Sequence, residues 1–301
     1  QRSAPPARPG PRARRYRIAG AAAVVAVLAA GAIIHAMLGS SPASPDDRSG
    51  GPAAAARGLA AAWIAGQVSR TDVISCDPVM CAALRAHGVP AADLLELTSG
   101  QGNPLHSVVI VATSAIRADF GSRLATVDAP AVIASFGSAA SSIQVRAIAA
   151  HGAAAYRAAL QADLTERRES AASLLGSGRL TVSGTVRAQL RAGDVDARLL
   201  VNLAWLAGQH PIDVVSFGDG GPGVSRTVSP YRAAEIAAAG GTDQGFATSV
   251  LSFLHSQHPP FAAARASPVK LAGGRTGVLI EFAAPSPMGV FSGSATGRPS
   301  H

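Results

Sequence analysis

The chain has 301 residues, a formal net charge of +8 and an aromatic content of only 4%. Arg2, Arg8, Arg12, Arg14, Arg15 and Arg17 supply six of those charges, and the rest of the chain is close to balanced. The high charge is therefore a property of one terminal tail and is no argument for nucleic-acid binding.

Residues 1–17 are rich in Pro and Arg, a composition that cannot bury a core and that suits anionic lipid head groups. Ile18–Leu38 then runs for 21 residues without Asp, Glu, Lys or Arg. At about 1.5 Å per residue it spans roughly 30 Å, the thickness of a bilayer's hydrocarbon core. Arginines before this stretch, with Asp46 and Asp47 after it, predict a cytoplasmic N-terminus and an extracytoplasmic remainder. A cleaved secretory signal is the alternative, but the stretch is longer than a signal's apolar region and Met37-Leu38 is a poor cleavage context. Residues 39–52 hold Ser, Pro, Gly and Asp and read as a flexible linker.

Helix and strand patterns alternate from there. Residues 53–69 form a helical pattern with Leu59, Trp63 and Gln67 on one side, Trp63 being expected to pack on the domain. Residues 72–75 read as a strand, and Pro78 to Ala86 as a helix closed by His87-Gly88. Strands are expected at 93–97, 107–112, 131–136 and 143–148. Ile116, Phe120 and Leu124 mark an amphipathic helix capped by Ser114. A longer helix covers 152–175, with Tyr156, Leu160, Leu164, Ala171 and Leu174 inward and Glu166, Arg167, Arg168 and Glu169 outward. A second run has a strand at 180–183, then a helix capped by Asp194 with Val195, Leu199, Leu203 and Leu206 inside. A strand at 212–217 and helices over 230–239 and 243–257 come next. A hairpin of 269–271 and 277–282 turns at Gly273-Gly274. The alternation predicts an α/β fold with a mostly parallel sheet and flanking helices. It forms either two lobes, 53–177 and 178–283, or one domain. Residues 284–301 read as a disordered tail.

Cys76-Asp77-Pro78-Val79-Met80-Cys81 is the most specific local feature. Asp77 suits a helix N-cap and Pro78 the first helical position. Cys76 and Cys81 then occupy the two positions that touch in a hydrophobic staple, so a structural disulfide between them is expected. A redox pair is the alternative, although the spacing is not C-x-x-C.

Two stretches echo each other. Ser135-Phe136-Gly137-Ser138 and Ser216-Phe217-Gly218-Asp219 each end an apolar strand, and the second continues into Gly220-Gly221-Pro222-Gly223. Ligands of open α/β sheets sit beyond such strand ends, so Ser138, Ser141, Asp219 and Ser225 are the candidate ligand-binding residues. Phe136 and Phe217 are expected to form a packed floor. The competing reading is that glycine merely permits tight turns.

No catalytic residue is identified. The chain holds no P-loop, dinucleotide fingerprint or G-x-S-x-G elbow, and His255 and His258 lack the glutamate of a zinc-protease motif. Arg146, Arg157, Arg167 and Arg168 read as a solvated face.

Residues 185–240 resemble part of the zinc D-alanyl-D-alanine peptidase-like family. The likeness rests on Gly193, Val195, Asp196, Arg198-Leu199-Leu200, Leu203-Ala204, His210, the strand 212–217 and Arg232-Ala233-Ala234-Glu235-Ile236. The departures remove its metal site. Val228 stands at the first zinc histidine, Tyr231 at the following glycine and Glu235 at the metal-binding aspartate, and Val278–Phe282 holds no H-x-H. A zinc site needs three protein ligands, so the resemblance implies a catalytically inactive relative with no metal or other cofactor. The abundance of Ala and Arg is the imprint of GC-rich codons, and the chain as a whole is similar to actinobacterial membrane-anchored envelope proteins, a likeness that transfers no site. The expected function is a single-pass, extracytoplasmic, non-catalytic protein held in the cell membrane by residues 18–38. It would bind a cell-envelope component or a partner protein, and no nucleic acid. A cell-wall hydrolase and a tethered solute receptor are the alternatives.

Overall fold

Proline and glycine punctuate this chain where its elements begin and end. In the computed structural model, the described residues are 51–99, 102–138, 141–240 and 245–291. The expected membrane span 18–38 lies outside them, as do the basic tail and all but the end of the linker. Among the described residues no helix is long and apolar enough to cross a membrane.

Pro52 opens α1 (Pro52–Gln67), whose inner face of Ala56, Ala60, Ala61 and Ile64 is buried. β1 (Ile74–Cys76) leads into α2 (Pro78–Ala86). There the Asp77 side chain accepts from the Met80 N–H, and Gly88 adopts a positive φ of 86° just beyond the helix. β2 (Leu94–Glu96), β3 (Val109–Ala112), α3 (Ser114–Phe120), β4 (Ala131–Phe136) and β5 (Ile143–Ala147) complete the first sheet and its helices. Thr113, rather than Ser114, caps α3. α4 (Ala153–Gly176) follows. The second half comprises β6 (Leu180–Val182), α5 (Gly184–Ala192), α6 (Ala197–Gln209), β7 (Ile212–Gly218), β8 (Ala233–Ala238), α7 (Phe246–His255), β9 (Arg265–Lys270) and β10 (Thr276–Glu281).

The strands make two five-stranded sheets, ordered β2-β1-β3-β5-β4 and β6-β7-β8-β10-β9. Both are mixed. β1 runs parallel to β2 and β3, and β6 runs parallel to β7. The five other pairings are antiparallel. The mostly parallel sheet expected from the alternation is thereby corrected, because the strand pairs β4–β5, β7–β8 and β9–β10 return on themselves without a crossover helix. The largest departure from expectation is residues 230–239. They contain strand β8, not a helix, since β7 and β10 both bond to this segment and sheet pairing overrides the helix propensity of alanine. Asp196, not Asp194, caps α6, and α5 is an additional helix that the sequence pattern does not announce.

The first sheet is covered on both sides. One face packs with Ala56, Ala60, Ile64, Met80 and Leu84 of α1 and α2. The other holds Ile110 and Ala112 against Ile116, Leu124 and Phe120. The second sheet buries one face, with Ile212, Val214, Ile236, Val278 and Ile280 packed against α4, α5, α6 and α7. Ordered structure continues past residue 283. Ala284 bridges to Val68, and Val290 is buried.

Candidate functional site

Strand register decides what the uncovered face of the second sheet presents. Residues directly opposite each other share a face. One row runs Gly218, Ala233, Glu281, Arg265, and the next runs Ser216, Glu235, Leu279, Ser267. Further along, Asp213 lies opposite Ala237. None of these belongs to the buried core on the other side. β7 thus turns Ile212 and Val214 inward and Asp213 and Ser216 outward, while β10 turns Val278 and Ile280 inward and Leu279 and Glu281 outward.

The polar groups on this face are paired. Ser216 Oγ donates to Glu235 Oε2 at 3.0 Å. Arg275 donates to Asp213 at 2.9 Å, and Arg265 Nη1 lies 3.3 Å from Glu281 Oε2. Asp219, at the start of the following loop, also acts on the Glu281 carboxyl. Burial first, then the hydrogen bond and charge of Asp219, push the Glu281 carboxyl up to about 7, against the opposing pull of Arg265.

Asp219 begins the loop 219–232 that joins β7 to β8. Among the described residues it is the one non-glycine in the left-handed region, with φ of 55°. The loop does not stand free over a ligand space. Pro222 O accepts from Ser135 N–H at 2.9 Å, so the loop pairs with β4, an edge strand of the first sheet. Gly221 is required there, because a Cβ would overlap the Ile133 carbonyl, and its N–H donates to Ser229 Oγ at 2.9 Å. Arg226 fills the loop's interior, donating to the carbonyls of Gly221, Val224 and Ser229.

The two Ser-Phe-Gly stretches are therefore in contact, although β4 and β7 belong to different sheets and are not parallel neighbours. Their meeting point is Ser135 with Pro222. The four side chains singled out in the sequence are distributed around it. Ser138 and Ser141 sit in the β4–β5 turn, where Ser141 Oγ donates to the Ser138 carbonyl at 2.9 Å. Ser225 lies exposed in the middle of the loop and accepts from Thr227 N–H, while Asp219 faces Glu281. Phe136 and Phe217 are partly buried against separate cores. Sequence reading misses Ser216, Glu235, Arg265 and Glu281. The period-two alternation of Ile212–Gly218 is visible, but the segment of its partner strand β8 reads as helix.

Two clefts lie elsewhere. One of about 290 Å³, between α4 and α6, is lined by Ser170, Ser173, Leu174, Ser177, Arg179 and Ala204 among others. A smaller one of about 70 Å³ lies beside Val68, His87 and Asp93. Neither includes Ser138, Ser141, Asp219 or Ser225.

The residues that carry the peptidase resemblance have work within the fold. Asp196 caps α6 and forms a two-pronged pair with Arg198, whose Nε and Nη2 lie 3.0 and 2.7 Å from its carboxylate oxygens. Burial opposes that charge, and the Arg198 contacts outweigh it, holding the carboxyl below its ordinary value. Gly193 takes φ of 75°, and its carbonyl accepts from Arg167. Arg232 is buried, donates to Gln67 Oε1 at 2.7 Å and lies over the Trp63 ring; burial brings it down to about 10. Arg146 and Arg167 are also buried, which corrects the solvated face expected of them. Each satisfies main-chain carbonyls, those of Ala129 and Pro130 for Arg146 and of Gly193 and Thr227 for Arg167. Cys76 and Cys81 form the expected disulfide, with Cα atoms 5.4 Å apart. Among the described residues no group of three or more His, Cys, Asp or Glu is placed to hold a metal ion.

Comparison of the chain with protein-family models, with curated proteins and with solved structures finds no match to any of them. The strands define the class, a mixed α/β protein of two five-stranded sheets, the second packing one face on helices and carrying the polar rows on the other.

Proposed function

We propose that this chain is a single-pass membrane-anchored protein whose folded part lies outside the cytoplasm. There it binds a polar component of the cell envelope on the open face of its second sheet, without turnover. The anchor is the uncharged stretch 18–38 behind its arginines. The observation that carries the binding reading is the pair of rows on that face. Ser216, Glu235 and Ser267 lie in the row next to Glu281 and Arg265, offering hydroxyl, carboxylate and guanidinium groups on four adjacent strands, with Asp219 at the start of the neighbouring loop. Ser138, Ser141 and Ser225 are at most a rim in this reading. Titration of the protein with soluble wall fragments, followed by backbone amide NMR, tests it. Saturable shifts confined to 216–219, 235, 265–267 and 279–281 are expected. Shifts elsewhere, or none at millimolar fragment, would overturn it.

One observation favours a second reading, a hydrolase acting on the wall. Burial pushes the Glu281 carboxyl up to about 7, a value suited to a general acid. Release of new reducing ends or amino groups from the same fragments would select it over binding alone.

A further inference from the structure

We propose that the outer side of α1 and α2 rests on the surface of the bilayer, with their exposed apolar side chains among the lipid head groups. This contact presupposes the membrane anchor at residues 18–38 proposed above, and adds to it a second, shallow hold on the membrane.

α1 carries no Asp or Glu, and its Arg57 and Gln67 are both half-buried. Its inner face lies in the core of the first sheet. A helix that is apolar all round is ordinarily covered all round. The outer side of α1 is not covered by this chain: Leu59 is 61% exposed, and Ala55 and Ala62 are exposed with it. α2 packs on the same face of the sheet and repeats the pattern. Val79 is 57% exposed, and this helix has no acid either. Leu59 and Val79 are the two most exposed large apolar side chains among the described residues. Asp77, which caps α2, is buried and accepts from Met80 N–H and Thr113 Oγ1. The charges that α1 and α2 carry are therefore Arg57 and Arg85, with Glu96 of β2 lying 4.0 Å from Arg85. Exposed apolar groups beside cations match the chemistry of a bilayer surface, where acyl chains lie beneath anionic head groups.

Chain position identifies the occupant. Residues 39–51 separate the uncharged stretch from Pro52, where α1 begins. Those 13 residues reach at most about 45 Å when fully extended, so the anchor keeps the start of α1 beside the bilayer. A tethered group meets its target at an effective concentration on the order of millimolar, so burial of a few side chains suffices to hold it. A second copy of the chain fits this side less well. A two-fold contact through α1 and α2 would set Arg57 and Arg85 against the same cations of the other copy, with no acid on either helix to offset them.

Photo-crosslinking of the full chain in lipid vesicles tests the contact. The photoreactive residue p-benzoylphenylalanine is placed at Leu59, at Val79 and, as a control in the second half, at Trp205, which is 50% exposed. In phosphatidylcholine vesicles containing about a third phosphatidylglycerol, mass spectrometry should find lipid adducts at 59 and 79, at least about fivefold above those at 205. Omitting the phosphatidylglycerol should lower them by about fivefold. Leu59→Glu changes an exposed position, so it should leave the fold intact while cutting the adducts at 79 to a similar extent. Flotation of the vesicles in alkaline carbonate reads the anchor separately. Flotation with no adducts at 59 and 79, with equal adducts at 205, or with cross-links to a second copy in place of lipid would overturn the surface contact and leave the anchor standing. A chain that does not float would overturn the anchor, and the surface contact with it.

Discussion

The two sheets are alike in strand number and unlike in what their second face does. In the first, Val109, Ile110, Val111 and Ala112 of β3 are all buried, because α1 and α2 cover one side and α3 the other. In the second, β7 alternates, Ile212 and Val214 inward and Asp213 and Ser216 outward. A strand covered on both sides must be apolar at every position, whereas a strand covered on one side can carry polar groups at every second position. The chemistry of this chain therefore gathers on the second sheet. The first supplies the footing, through the edge strand β4, against which the loop 219–232 rests.

The sharpest way to break this comparison is to shorten one aliphatic side chain on each sheet. Ile110 is fully buried on the α3 side of the first sheet. Ile110→Ala should cost roughly 2–5 kcal/mol, the range for a large core aliphatic whose cavity cannot collapse. Leu279 lies on the open face between Glu235 and Ser267. Leu279→Ala should cost about 1 kcal/mol or less, because only part of its surface leaves water. Urea unfolding of both variants measures the difference. Equal losses would mean that the second sheet's outer face is covered too.

The disulfide tests the footing alone. Cys76 ends β1 and Cys81 lies in the first turns of α2, so the bond ties sheet to helix across five residues of sequence. A loop that short constrains the unfolded chain modestly, by roughly 2 kcal/mol. Replacing both cysteines by alanine should lower stability by about that amount. The hydrogen bonds of Asp77 to Met80 N–H and to Thr113 Oγ1 should survive, since they fix the same turn independently. Loss of folding altogether would show that the turn depends on the bond.

How much of this is legible in the sequence follows the same division. α2 can be read with its limits, and β4 likewise, because Asp77-Pro78 and His87-Gly88 mark helix ends and Val132, Ile133 and Phe136 mark a strand. The disulfide follows from the same local spacing. What sequence reading loses is non-local. Residues 233–238 are rich in alanine, whose preference for helix is weak enough for two flanking strands to override it. With β8 read as helix, the rows that join Ser216 to Glu235 and Gly218 to Glu281 have no basis. Arg146 and Arg167 look like surface charges, since nothing in their neighbours shows that main-chain carbonyls from distant elements will surround them. Asp219 alone is reached from the sequence, through the Ser-Phe-Gly echo, and its partner is found only by register.

The smallest expected effect is the most direct probe of how open the second face is. Arg275 and Asp213 form an ion pair of 2.9 Å with side chains 38% and 19% exposed. Arg167 and Asp163 form one of 2.7 Å with 1% and 5% exposed, one turn apart on the buried face of α4. Geometry is similar, so solvent decides their behaviour. In water two charges gain little from pairing, and their side chains lose freedom to hold it. A double-mutant cycle of Arg275→Gln and Asp213→Asn should therefore give a coupling of about 0.2–1 kcal/mol. That coupling should shrink between about 0.05 M and 1 M salt as the Debye length contracts. A coupling well above this range, or one insensitive to salt, would mean that water is excluded from the face and that something in the folded chain covers it.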